Sequence, residues 1–119
     1  MDVDVDVDKP PFAVGQVVTV FRSRLRDDIG RTGADYPEVA DTILGLARAM
    51  PGFVDFKHFE AADGERVALV TFVDAESQRA WRDQADHRVA QQAGRDRYYG
   101  EYSIQVCDCT SARSFTLGN

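Results

Sequence analysis

Asparagine and cysteine are both scarce in this chain of 119 residues: Asn119 is the single asparagine, and Cys107 and Cys109 are the only cysteines. In an extended strand an i, i+2 pair points to one face, and a direct bridge between the two would be strained. A metal or redox role needs further ligands, so the plainer reading is a pair of small, half-buried strand residues in a reducing cytoplasm. No stretch approaches the roughly 20 apolar residues needed to span a bilayer, and the start lacks the basic residues and apolar run of a signal peptide. The sequence has no Gly-rich phosphate loop, HExxH, Gly-x-Ser-x-Gly or Cys-x-x-Cys motif, which leaves flavin, nicotinamide and structural zinc unsupported. Localisation is expected to be cytoplasmic, with no membrane partner.

Positive charge is also in deficit. The formal net charge is -6, and half of it sits in Asp2, Asp4, Asp6 and Asp8 against Lys9, an alternating Val-Asp segment whose like charges disfavour a strand. The acidic balance argues against a nucleic-acid partner. The chain is expected to divide into an acidic tail over 1–13, one domain over 14–110 and a short tail over 111–119.

Within the domain, Val14 to Arg22 is rich in Val, Thr and Phe and predicts a first strand running on towards Arg26, before a loop from Gly30 to Gly33. Asp35, Pro37 and Glu38 form the pattern of a capped helix start at Tyr36. The apolar stripe of Val39, Ala40, Ile43, Leu44, Ala47 and Met50 continues that helix to the Pro51-Gly52 stop. Phe53 to Glu60 and Arg66 to Val73 predict a hairpin around Asp63-Gly64. Asp74 caps a second helix through Trp81, which stays helix-compatible to about Arg97 with a break near Asp86, and Tyr102 to Cys107 makes a fourth strand. This order is β-α-β-β-α-β, an α+β ferredoxin-like arrangement with an antiparallel sheet. Val18 and Val20 share one face of the first strand while Val17, Thr19 and Phe21 share the other, so the face without helices needs covering; a second sheet from another copy would do so.

The segment from Met50 to Val106 holds the only tryptophan, both histidines and three of the four tyrosines, the side chains that would line a small-molecule pocket. Trp81 can form a pocket wall with a directed indole N–H, or anchor its helix as core. Alternation puts His58 on one strand face with Val54 and Phe56, where it can take a phenol proton, or it sits as a hydrogen-bonded strand-end histidine. His87 starts a stripe with Ala90 or Gln91, Gly94 and Tyr98 and is a candidate general base, though Asp83 and Asp86 offer it ion pairs instead. Tyr98, Tyr99 and Tyr102 can bind a quinone or phenol oxygen, with at most two on one face if the helix persists. The Arg79 to Arg97 series alternates with acids and reads as a solvated face, from which Arg88 or Arg95 can bind an anion or reach a partner subunit.

The Met50-Pro51-Gly52-Phe53 corner, the Asp63-Gly64 hairpin and the Trp81, His87, Gly94-Arg95, Tyr99 and Tyr102 pattern resemble the antibiotic biosynthesis monooxygenase family over roughly Val17 to Val106. The resemblance implies a dimeric α+β barrel in which two subunits pack through their sheets, each with a pocket between helices and sheet. It implies a small aromatic substrate and dioxygen, and oxidation of a phenolic, polyketide-like intermediate of secondary metabolism without metal or flavin. Other relatives bind and degrade haem, for which His87 or His58 would be the ligand. Relatives that oxygenate without a cofactor or degrade haem commonly use an asparagine near the pocket, together with the tryptophan of the second helix. Here no asparagine precedes Asn119, and Ser77, one turn before Trp81, is the polar stand-in. That departure motivates the alternative, a non-oxidative cyclase, isomerase or ligand-binding protein using the same pocket. The expected catalytic residues are His58, His87 and Trp81, and the expected substrate-binding residues are Ser77, Tyr98, Tyr99, Tyr102, Arg88 and Phe56.

Overall fold

The computed structural model describes residues 12–118; the Val-Asp segment and Asn119 lie outside the described residues. Strand β1 (Val17–Leu25) is followed by a single helical turn, α1 (Ile29–Thr32), and helix α2 (Tyr36–Ala49). Strands β2 (Phe53–Glu60) and β3 (Arg66–Phe72) form the hairpin. Two short helices, α3 (Ala75–Asp83) and α4 (Ala85–Ala93), run into a π-helical turn at Gly94–Tyr98, and β4 (Tyr99–Asp108) completes the sheet. The strand order is β2-β3-β1-β4, antiparallel throughout. This is the expected α+β ferredoxin-like arrangement.

Several boundaries differ from the sequence expectation. The Gly30 to Gly33 loop contains the α1 turn. β1 starts at Val17 because Gly15, at φ 94°, turns the chain just before it. β4 starts three residues earlier than Tyr102, so Tyr98 and Tyr102 do not share a helix face. The break between α3 and α4 falls at Gln84, whose ψ of 133° is extended and whose side chain accepts a hydrogen bond from the His87 N–H at 2.8 Å. Asp35 does not cap α2 through its side chain; its carboxylate instead accepts from the Arg97 guanidinium at 2.9 Å and from the Tyr98 hydroxyl at 2.9 Å. A long-range partner has outcompeted the local cap. Asp74 does cap, accepting from the Ser77 N–H at 2.8 Å.

The side of the sheet that faces the helices is organised in rows set by strand register. Phe53, Phe72 and Val17 form the first row. Phe56, Val70, Thr19 and Val106 form the second, and His58, Ala68, Phe21 and Ile104 the third. The fourth is polar: Glu60, Arg66, Ser23 and Tyr102. A β-bulge between Phe53 and Asp55 puts Val54 out of step, so Phe56 and His58 share a face without it. The core of Ala47, Val70, Phe72 and Trp81 sits over the first two rows, with Ile43, Leu46 and Met50 packed against it. Fully burying one side chain of this size is worth about 1.5–3 kcal/mol. The opposite face carries Val18, Val20, Val67 and Leu69, all only half-buried, and Phe59, which is exposed. Among the described residues, no helix is long and apolar enough to cross a membrane.

Candidate active site

Between the helices and the sheet lies a cavity of about 440 Å³, within the usual range for small-molecule sites. Its floor is the second, third and fourth rows of the sheet, its roof comes from α2, α3 and α4, and the π-helical turn closes one end. The helical elements place polar and aromatic side chains over a mostly apolar floor, among them Tyr36 from α2, Gln78 and Trp81 from α3, His87 from α4 and Arg95 from the π-helical turn.

Trp81 and His87 are stacked face to face, with ring centroids 3.9 Å apart and planes 16° from parallel. The extended backbone at Gln84 folds α4 back so that a residue six positions on lies over the indole. His87 Nδ1 is 3.0 Å from the Trp81 carbonyl oxygen. A carbonyl only accepts, so the neutral ring carries its proton on Nδ1 and leaves a lone pair on Nε2. No described residue hydrogen-bonds Nε2. Burial pushes the imidazole below the ordinary histidine range, against a smaller opposing effect of the Trp81 carbonyl, which keeps the ring neutral at pH 7. This is the arrangement of a base, oriented through one nitrogen and open at the other. Asp83, which the sequence offered as an ion-pair partner for His87, binds Arg82 instead.

The other expected residues divide. Phe56, His58, Tyr98, Tyr99 and Tyr102 all line the cavity with Trp81 and His87, so all three tyrosines face it. His58, exposed on β2, sits at the edge. The Tyr98 hydroxyl is committed to Asp35, and burial is the main cause pushing its pKa up. Tyr99 is likewise pushed up, chiefly by burial and then by its neighbour Tyr36, so its hydroxyl remains a proton donor. Tyr102 accepts from Arg95 Nε at 2.8 Å.

Two expected residues are not in the cavity. Ser77 turns to the corner after α2, where its side chain packs against Gly52, and both its amide and its hydroxyl are held by Asp74. Arg88 is exposed on α4 and lines no part of the site. Cys107 is exposed rather than half-buried, and Cys109 lies beyond β4 with its thiol donating to the Ser111 carbonyl. Among the described residues, no three His, Cys, Asp or Glu side chains are placed to hold a metal ion.

Sequence reasoning missed Gln78. It is 6% exposed and lines the cavity one residue after Ser77 and three before Trp81. Its Nε2 reaches the Thr19 hydroxyl at 3.5 Å, a weak bond, and no described residue satisfies its carbonyl oxygen. The indole N–H of Trp81, buried at 4% exposure, also has no partner among the described residues. Buried polar groups are normally satisfied, so a carboxamide and an indole left short of partners on one cavity lining leave hydrogen-bonding capacity for a polar ligand group. The usable signal was the i, i+3 spacing to Trp81, which places Gln78 on the same helix face.

An antiparallel sheet in the order β2-β3-β1-β4 with helices on one face and a small-molecule pocket beneath them defines an α+β ferredoxin-like domain. The solved structures it is similar to bear this out at the level of fold, while no family model matches the chain. Rv0793 from Mycobacterium tuberculosis superimposes with a TM-score of 0.71 at 17% identity, covering 84% of this chain and 100% of its own. SnoaB, a cofactor-independent oxygenase from Streptomyces nogalater, gives 0.66 at 17% identity over 86% of this chain and 97% of its own. Another SnoaB structure carries an asparagine-to-alanine substitution. A candidate antibiotic biosynthesis monooxygenase from Deinococcus radiodurans gives 0.71 at 11% identity, with 84% and 98% covered. In sequence, the uncharacterized protein YqjZ of Bacillus subtilis is 28% identical over 80 residues, 67% of this chain and 70% of YqjZ.

Proposed function

We propose that the protein is a cofactor-independent monooxygenase acting on a flat phenolic substrate of the anthrone or naphthol type. The observation that carries this is the neutral His87, oriented by the Trp81 carbonyl with Nε2 unpaired, beside the unsatisfied carboxamide of Gln78. The similarity in fold to SnoaB supports the oxidative form of the reading.

In this mechanism the ring system packs against Trp81 and Phe56, and Gln78 Nε2 donates to its oxygen. His87 Nε2 removes the acidic proton, leaving a delocalised carbanion whose charge is stabilised by the carboxamide and a tyrosine hydroxyl. The anion gives one electron to dioxygen, and the substrate radical and superoxide combine to form a carbon–oxygen bond. The proton returns from His87 to the peroxide. Removal of the remaining hydrogen on that carbon breaks the O–O bond and releases water. A methylene carbon and one dioxygen thus become a ketone carbon and one water. Apolar rows beneath the ring exclude water and keep the anion reactive.

The test is oxygen uptake with an anthrone-type phenol in the presence of chelator. One dioxygen consumed per quinone formed is expected, and turnover that continues unchanged without oxygen would overturn it. The second reading, proton transfer without oxygen, has one observation in its favour: the His87 geometry serves a cyclase or isomerase equally well. It predicts a rearranged product of unchanged oxygen content in the anaerobic sample.

A further inference from the structure

The cavity is two-ended. At the end formed by the fourth row, the Ser23 hydroxyl is 3% exposed and has no hydrogen-bond partner among the described residues. Arg66 and Tyr102 flank it on the neighbouring strands. Arg95 leans in from the π-helical turn, donating to the Tyr102 hydroxyl at 2.8 Å and to Gln92 at 3.3 Å, with no carboxylate pairing it among the described residues. Arg66 has only a long contact to Glu60, 3.8 Å, and lies 5.9 Å over the ring of Tyr36. The third arginine on the lining, Arg82, is already bonded to Asp83, and Asp41 on α2 is the one carboxylate among the lining residues described. A chain of net charge -6 therefore lines one end of its cavity with two under-used guanidinium groups and a buried hydroxyl.

We infer that Arg66, Arg95, Ser23 and Tyr102 form a carboxylate subsite, so that the substrate is a polycyclic phenol bearing an acidic side group at the end remote from the reacting ring. Guanidinium groups suit a planar carboxylate, and hydrogen bonds to it are charge-assisted. Tyr102, whose oxygen accepts from Arg95, keeps its own proton to donate, as does Ser23. The distance fits: Thr19, under Gln78, and Ser23 are four residues apart on β1, about 13 Å of strand, the span of a linear polycycle with a terminal acid. Placing the charge here also fixes which end of the ring faces His87.

This rests on the aromatic-pocket reading above, and binding separates it from the oxygen chemistry. Titration calorimetry under nitrogen would compare 6-hydroxy-2-naphthoic acid with its primary amide, the same ring system without the charge. The acid is expected to bind at least about tenfold more tightly, with a preference that shrinks in salt and disappears in the Arg66→Gln/Arg95→Gln double variant while the amide still binds. Equal affinities in the unaltered protein would overturn the subsite without recourse to any variant, and so would a preference that survives the double substitution. Failure of both probes to bind would overturn the aromatic pocket and the subsite together. Acid preference without oxygen consumption on any phenol would leave the subsite standing and remove the oxygenase reading.

Discussion

Trp81 and His87 stack on the cavity lining, with Gln78 on the same lining three residues before the indole. A lone tryptophan and an imidazole stand out in any sequence, whereas a glutamine among charged residues on a helix usually faces water, and only the phase of α3 shows otherwise. Each residue advances a helix by about 100°, so Ser77 and Gln78 point in different directions from the same turn. The Asp74 cap directs the serine to the Gly52 corner and the glutamine into the cavity. Replacing Gln78 with Leu is expected to lower kcat about 10²-fold with little change in stability, the loss typical of one removed oxyanion donor; an unaltered kcat would exclude it from the mechanism. His87→Ala should cost about 10²–10⁴-fold. The pH dependence has a definite sign. Because burial holds the folded-state pKa of His87 below its unfolded value, the unfolded chain takes the proton first as the solution is acidified. Stability associated with neutral His87 is present above about pH 6.5 and is lost as pH falls from there towards the folded-state pKa. Thermal melts from pH 7.5 to 5.5 should show a decline that His87→Gln flattens, and an identical decline in both proteins would contradict this.

At the scale of elements, the strands, the α2 stripe and the hairpin followed from periodicity and turn chemistry, which are local. The parts that were not legible depend on residues far apart in the chain. Asp35 has the sequence of a helix cap, but Arg97 and Tyr98, more than 60 positions away, take its carboxylate and tie the π-helical turn to the start of α2. The bulge in β2 is likewise a product of packing; the helix break, expected near Asp86, falls two residues earlier at Gln84 and is what lays His87 on Trp81. The Pro51-Gly52 corner was read correctly as a stop, and its glycine has a specific reason. Gly52 is at φ 83°, and a Cβ there would collide with the Ser77 side chain. Gly52→Ala is expected to destabilise the protein by about 1–3 kcal/mol, read as a lower denaturant midpoint; an unshifted midpoint would show that the corner relaxes freely.

For the whole molecule, the sheet face without helices sets the expectation. Half-buried Val18, Val20, Val67 and Leu69 with exposed Phe59 make an apolar surface of the kind that marks an interaction site. A second copy packed sheet to sheet would cover it. Light scattering should give twice the chain mass of 13.2 kDa, and Leu69→Asp should return the mass to that of one chain with helix content intact. A monomeric unaltered protein would show that this face is not a self-association surface. The oxidative reading itself is tested most directly by isotope: an anthrone-type phenol carrying a remote carboxylate, incubated with the chelator-treated protein under ¹⁸O₂. One ¹⁸O atom in the product, the other in water and no turnover under nitrogen is the predicted result. A product formed equally well under nitrogen, or one whose new oxygen comes from water under rapid workup, would contradict it.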